Sequence, residues 1–236
     1  MRLLAPALVL LIVAAGCGHV VVGAAQPAAT AVTVLPSEAE ITDAVGNGLS
    51  TFDFRPFVGG SEIMPDGFHD DADATPFRCI GVTETMLRAT YEGADVIEAA
   101  RQSYFTLAPG ARVSGADAAV VRFGSESEAV DRYRAFTERW RGCDGQTVVK
   151  HLRGTTDTDT DVDAAIDDVD ADDPLLTATV VTRQGANAPE QIYLRAVALR
   201  DDTLVEVSLA VADRTGSDGA AARVARVMLD KVGAQR

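Results

Sequence analysis

The stretch Gln191-Ile-Tyr-Leu-Arg-Ala-Val-Ala-Leu-Arg200-Asp-Asp-Thr-Leu-Val-Glu-Val-Ser-Leu-Ala-Val-Ala212 decides the fold class. Two apolar runs flank Asp201-Asp202, a pair suited to a tight reversal, so the segment reads as an antiparallel hairpin. In its second strand Leu204, Val205, Val207, Leu209 and Val211 exceed a simple alternation, which predicts a central strand covered at least partly on both faces. Upstream, Leu176 to Arg183, Gln146 to Leu152, Ala118 to Phe123 and Val96 to Leu107 read as further strands. The last two are joined through Pro109-Gly110 and Gly115.

Helices are expected around these strands. Ser125, with Glu128 three residues on, opens one that runs to about Arg141 and buries Ala129, Val130, Tyr133, Phe136 and Trp140 along one stripe. That stripe fits core packing better than a ligand site. Ser37-Glu38-Ala39-Glu40 is a capping-box pattern for a short helix carrying Ile41 and Val45, stopped by Gly46-Asn47-Gly48. Thr83 to Thr90 reads as helical. A last helix from Ser217 or Asp218 presents Val224, Val227, Met228 and Val232 and stops at Gly233. Hairpins with helices before, between and after them predict an α+β domain: an antiparallel sheet with helices packed mainly on one face, plus one disulfide. Two segments have no such order. Ser50 to Thr75 reads as irregular, with Phe52, Phe54, Phe57 and Phe68 folded back onto the core. Residues 155 to 173, crowded with aspartates and without a basic residue, read as a solvated loop.

The N-terminus reads as an export signal. Arg2 supplies the positive charge, Leu8 to Val13 the apolar stretch, and Ala14, Ala15 and Gly16 the small residues before Cys17. The segment resembles a bacterial lipoprotein signal, although Ala14 stands where such signals usually carry Leu. The resemblance implies removal of residues 1–16 and lipidation of Cys17, which anchors the protein at the cell membrane on its extracytoplasmic face. Residues 17–36 then read as a flexible tether and 37–236 as one domain. The formal net charge of −14 disfavours nucleic acid and anionic headgroups as partners. Cys79 and Cys143 remain as an even pair in an exported chain and read as a disulfide. The alternatives, a free thiol or a metal thiolate pair, lack a C-x-x-C spacing or a neighbouring histidine.

Motifs of catalysis are missing. The histidines are His19, His69 and His151, of which His19 lies in the tether and His151 near Arg153 at a strand end. There is no G-x-S-x-G elbow, P-loop, dinucleotide fingerprint or H-E-x-x-H. No enzyme activity and no cofactor are expected. Asp157, Asp159, Asp161 and Asp163, followed by Asp168, copy the rhythm of a calcium loop. Val162 occupies the position where such loops need Gly, so a solvated loop is the better reading. His69-Asp70-Asp71 with Asp73 reads as a polar turn rather than a cation site.

Three segments in the same order are similar to the mycobacterial PknH-like extracellular domain family: Pro76-Phe-Arg-Cys79-Ile-Gly-Val, Phe136-Thr-Glu-Arg-Trp140-Arg-Gly-Cys143-Asp-Gly-Gln-Thr147-Val-Val, and Arg195-Ala-Val-Ala-Leu-Arg200-Asp-Asp-Thr-Leu-Val205-Glu-Val. The resemblance covers about residues 37 to 233. It implies a sensor domain of the type that receptor Ser/Thr kinases display outside the membrane, with a cleft between sheet and helices for an unidentified ligand. It also supports the Cys79–Cys143 bridge. Tyr193 and Ala210 stand where the family often has a second disulfide. The expected function is non-enzymatic binding of a small molecule or envelope component by a lipid-anchored sensor-like domain. The rival is a structural or protein-interaction module that uses an exposed sheet edge or the acidic segment. A hydrolase would need a nucleophile, a base and oxyanion donors converging in one pocket.

Overall fold

The hairpin that decides the fold class lies at the centre of the molecule. A computed structural model of the chain describes residues 30–153, 160–172, 174–185, 188–214 and 219–234. In chain order the strands are β1 (Phe57–Gly59), β2 (Ala74–Thr75), β3 (Val96–Phe105), β4 (Val113–Phe123), β5 (Thr147–Leu152), β6 (Thr160–Asp172), β7 (Leu175–Arg183), β8 (Gln191–Arg200) and β9 (Thr203–Val211). The helices are α1 (Ala31–Val34), α2 (Glu38–Val45), α3 (Ile80–Thr83), α4 (Glu126–Arg141) and α5 (Ala220–Ala234). The strands form one nine-stranded sheet in the order β1-β3-β4-β9-β8-β7-β6-β5-β2. Every pairing is antiparallel. The long strands that follow one another in the chain are mostly sheet neighbours, which keeps their connections short. Asp201 takes the left-handed conformation in the β8–β9 turn, with φ 57°, a state that Asp tolerates better than most residues.

Because strand side chains alternate, each strand feeds two cores. Val205, Val207 and Leu209 of β9 and Ala196 and Ala198 of β8 lie under α5, α1 and α2. Leu204 of β9, Val197 of β8 and Val121 and Phe123 of β4 face α4 and the cysteines. The central strand is covered on both sides, as its composition requires. The α+β class, the antiparallel sheet and the bridge agree with the expectation, and the helices are shared between both faces. α4 is capped by Ser125, whose Oγ accepts from the Glu128 amide at 3.3 Å. Its stripe of Ala129, Tyr133, Phe136 and Trp140 is buried. α2 has the full capping box, with Ser37 Oγ accepting from the Glu40 amide and the Ser37 amide donating to Glu40 Oε2 at 2.7 Å. Lys231 of α5 then meets the same carboxylate at 3.0 Å.

Several local expectations are corrected. Residues 160 to 172 form a strand rather than a loop. Val162, Ala164 and Ile166 point to the disulfide side, while Asp161, Asp163 and Asp167 point away from it, so half-face burial outweighs the poor strand propensity of Asp. Arg214 adds ion pairs to Asp167 at 2.9 Å and Asp168 at 3.0 Å. Phe68 packs on the core as expected. Phe52, Phe54 and Phe57 are instead exposed, the last two by 67% and 59%, because residues 57–59 extend the sheet at its β3 edge. In place of a helix over Thr83 to Thr90 there are α3, a reversal at Met86 (φ 54°) and a 3₁₀ turn over Arg88–Tyr91. Packing also begins earlier than Ser37, since Ala31 and Val34 of α1 are buried. At the other end, α5 continues through Gly233 to Ala234.

Candidate functional site

Three polar residues interrupt the disulfide-side face of the two central strands: Arg195 of β8, and Glu206 and Ser208 of β9. The Arg195 and Glu206 side chains are fully buried and meet at 3.0 Å. Arg195 also donates to the Glu84 carbonyl at 2.9 Å and to Thr85 Oγ1, and its guanidinium carbon lies 5.8 Å from the Trp140 ring centroid. Glu206 Oε1 accepts from the Met86 amide at 3.0 Å and from the Tyr91 hydroxyl at 2.6 Å. Burial first, and the Glu206 charge second, push the Tyr91 hydroxyl well above its ordinary pKa, so it stays a donor. A charge pair this deep needs such additional hydrogen bonds to offset desolvation. Its structural consequence is local: the sheet grips residues 84–86 and holds that segment above its surface.

Beyond this clamp the same face is open. A cavity of about 480 Å³ lies between the sheet and the residues of two overlying segments, Pro65 and Phe68 on one side and Thr83, Glu84 and Thr85 on the other. Its sheet wall includes Arg101, Asp117, Ser208, Tyr193, Thr182, Val162 and Lys150, contributed by seven strands. The volume lies in the range of small-molecule sites, and the wall combines aromatic, aliphatic and charged groups. Lys150 is nearly buried and pairs with Glu84 at 2.5 Å. Ser103 Oγ donates to Asp117. Tyr193 donates to Gln191 at 2.9 Å, and burial, followed by the charges of Glu84 and Asp117, raises its pKa. Tyr193 is the cross-strand partner of Ala210. Two cysteines at these positions would be neighbours on adjacent strands, and here an aromatic side chain enters the cavity wall instead.

The residues singled out in the sequence are distributed widely. Cys79 and Cys143 are bonded, with S–S 2.06 Å and Cα–Cα 5.7 Å, and are buried beside Trp140 in the same core rather than in the cavity wall. Cys17, Asp157 and Asp159 lie outside the described residues. Asp161, Asp163 and Asp168 are exposed along β6. Among the described residues, no three His, Cys, Asp or Glu side chains converge to hold a metal ion. In the 69–73 cluster, Asp73 accepts from the His69 amide at 2.8 Å and meets its ring, which lowers the Asp73 pKa. Asp70 accepts from the Ala72 amide and Asp71 from the Phe77 amide, each at 2.7 Å, so these carboxylates tie up turn amides. His151 pairs with Asp161 at 2.9 Å. We expect Asp161→Asn with Asp163→Asn to change thermal stability by less than about 0.5 kcal/mol, because both side chains are solvated. A calcium-dependent rise in the wild-type melting temperature that the double variant lacks would contradict this.

Lys150, Thr182, Tyr193 and Ser208 line the wall without any sequence motif that marks them for it. The available signal was a polar residue where strand alternation calls for an inward apolar one. It is visible at Arg195, Glu206 and Ser208 but does not say whether the group is clamped or open.

Comparison with known proteins adds the following. A family model described as the PknH-like extracellular domain matches residues 26–231. The crystal structure of the extracellular domain of PknH from Mycobacterium tuberculosis superposes with a TM-score of 0.70 at 17% identity, covering 89% of this chain and 99% of that one. An uncharacterized protein from Rhizobium leguminosarum matches at 15% identity over 51% of this chain and 95% of its own, but with a TM-score of 0.23 the likeness carries no weight. No curated protein matches the sequence.

Proposed function

Because the chain belongs to the PknH-like extracellular domain family, an extracytoplasmic family by its description, we propose that it is a lipid-anchored sensor-like protein. In this reading Cys17 carries the lipid, and the cavity on the disulfide side binds a small molecule or envelope component without chemical conversion. The observation that carries the binding role is the cavity itself, a preformed concavity whose lip is held by the buried Arg195–Glu206 pair.

Two measurements test the reading. Cys17→Ala should abolish metabolic lipid labelling and release the protein from the membrane fraction, whereas unchanged labelling and retention would refute the anchor. Native mass spectrometry of protein taken from its own envelope should show a co-purifying species that is lost in Thr182→Trp, which fills the cavity. A species retained by that variant would refute the cavity as its site. A second reading is favoured by one observation: Phe54, Phe57 and Leu107 are exposed on and near the β1–β3 edge, Leu107 by 84%. Such an apolar edge suits a protein–protein contact. A co-purifying polypeptide lost in Phe54→Ser with Phe57→Ser would support that reading.

A further inference from the structure

We propose that the cavity takes a singly charged anion with an apolar body, its oxyanion head received by Arg101. This rests on the cavity being the ligand site and adds the chemistry of the guest. Of the charged groups in the wall, Glu84 is matched by Lys150, and Asp117 accepts from Ser103. Arg101 is different. It makes no hydrogen bond or ion pair with any described residue, and its Nε is buried without a partner. A buried donor left unmade carries a desolvation penalty that a bound acceptor would remove.

The side chain is also prepared for that role. Phe57 of β1 is the register partner of Arg101 on β3, and its ring centroid lies 4.8 Å from the guanidinium carbon. Stacking on an aromatic face fixes the plane of a guanidinium and leaves its N–H edges available. Those edges match a carboxylate in a bidentate pair. Phe68, Val162 and Leu152 in the same wall offer an apolar surface to the rest of the ligand. The carboxylates of Glu84 and Asp117 and the net charge of −14 disfavour a multiply charged head. They select a monoanion such as a carboxylate.

The test uses the full-length chain in detergent and a pair of probes of nearly equal shape, 4-phenylbutyrate and its uncharged amide, titrated by calorimetry. The wild type should bind the carboxylate more tightly than the amide. Arg101→Gln should weaken carboxylate binding about tenfold or more, as expected for a charge-assisted contact, and leave the amide unchanged. Arg101→Lys should fall between the two. Glu84→Gln, which removes a negative charge beside Lys150, should tighten carboxylate binding, an effect readable even if an Arg101 variant does not fold. Thr182→Trp should abolish both probes. Equal carboxylate affinity in the wild type and Arg101→Gln, with Thr182→Trp still blocking binding, would overturn the anion assignment and spare the cavity. Indifference of both probes to Thr182→Trp, or no binding of either to the wild type, would overturn the proposal together with the cavity reading.

Discussion

Glu206→Gln is expected to destabilise the domain by about 3–5 kcal/mol, the usual cost of leaving one member of a buried ion pair without its partner. For a chain of this size that is on the order of 10 °C in melting temperature. The wild-type carboxylate accepts from the Arg195 guanidinium, the Met86 amide and the Tyr91 hydroxyl. An amide side chain supplies one acceptor oxygen and an NH2 group that cannot accept, so Arg195 stays charged in the core with one bond fewer. The informative control is Arg195→Met combined with Glu206→Leu, which removes both charges and fills the space. It should be clearly more stable than Glu206→Gln alone, because buried pairs are often replaced by apolar groups at little cost. Residues 84–86 should nevertheless lose their anchor in that variant, and the cavity lip with them. A Glu206→Gln protein that melts within about 1 kcal/mol of the wild type would show that the pair is not energetically coupled to the fold.

Loss of the Cys79–Cys143 bond is expected to cost a similar amount. The cysteines are 64 residues apart, and closing a loop of that length in the unfolded chain is worth roughly 4 kcal/mol in the chain-entropy model. The bond joins the segment before α3 to the end of α4, and both sulfurs lie in the core that Trp140 occupies. Reduction therefore loosens the whole disulfide-side core. Cys79→Ser, Cys143→Ser and the double variant should melt lower than the wild type by similar amounts, without additivity, since each loses the same bond. In the denatured, unreduced protein neither cysteine should react with a thiol reagent. Two titratable thiols in protein taken from the envelope would contradict the assignment.

Much of the fold is legible residue by residue where local pattern and burial agree. Ser125 and Ser37 announce α4 and α2 because capping chemistry acts within three residues. β8, β9 and their turn are readable because two-sided burial demands an apolar excess in Leu204 to Val211. The pattern misleads where packing is one-sided and polar residues dominate. In β6 the aspartates suggest a loop, but Val162, Ala164 and Ile166 alternate with them, and two neighbouring strands supply the backbone partners. At the β1 edge the opposite error arises: Phe54 and Phe57 look like core residues, yet the sheet ends there and both stay largely exposed.

The candidate site divides along the same line. By itself the sequence determined the α+β class, the cysteine pair, the capped helices and the central hairpin, since each depends on residue types at short, regular spacing or on a simple even count. Only the tertiary structure decided that Arg195 is clamped by Glu206, that Arg101 has no such partner among the described residues, and that seven strands contribute to one cavity wall. Such relations join residues far apart in the chain, as in the hydrogen bond from the Met86 amide to Glu206, 120 positions away. They depend on strand order and on which end of the sheet face is covered, and no local periodicity encodes either.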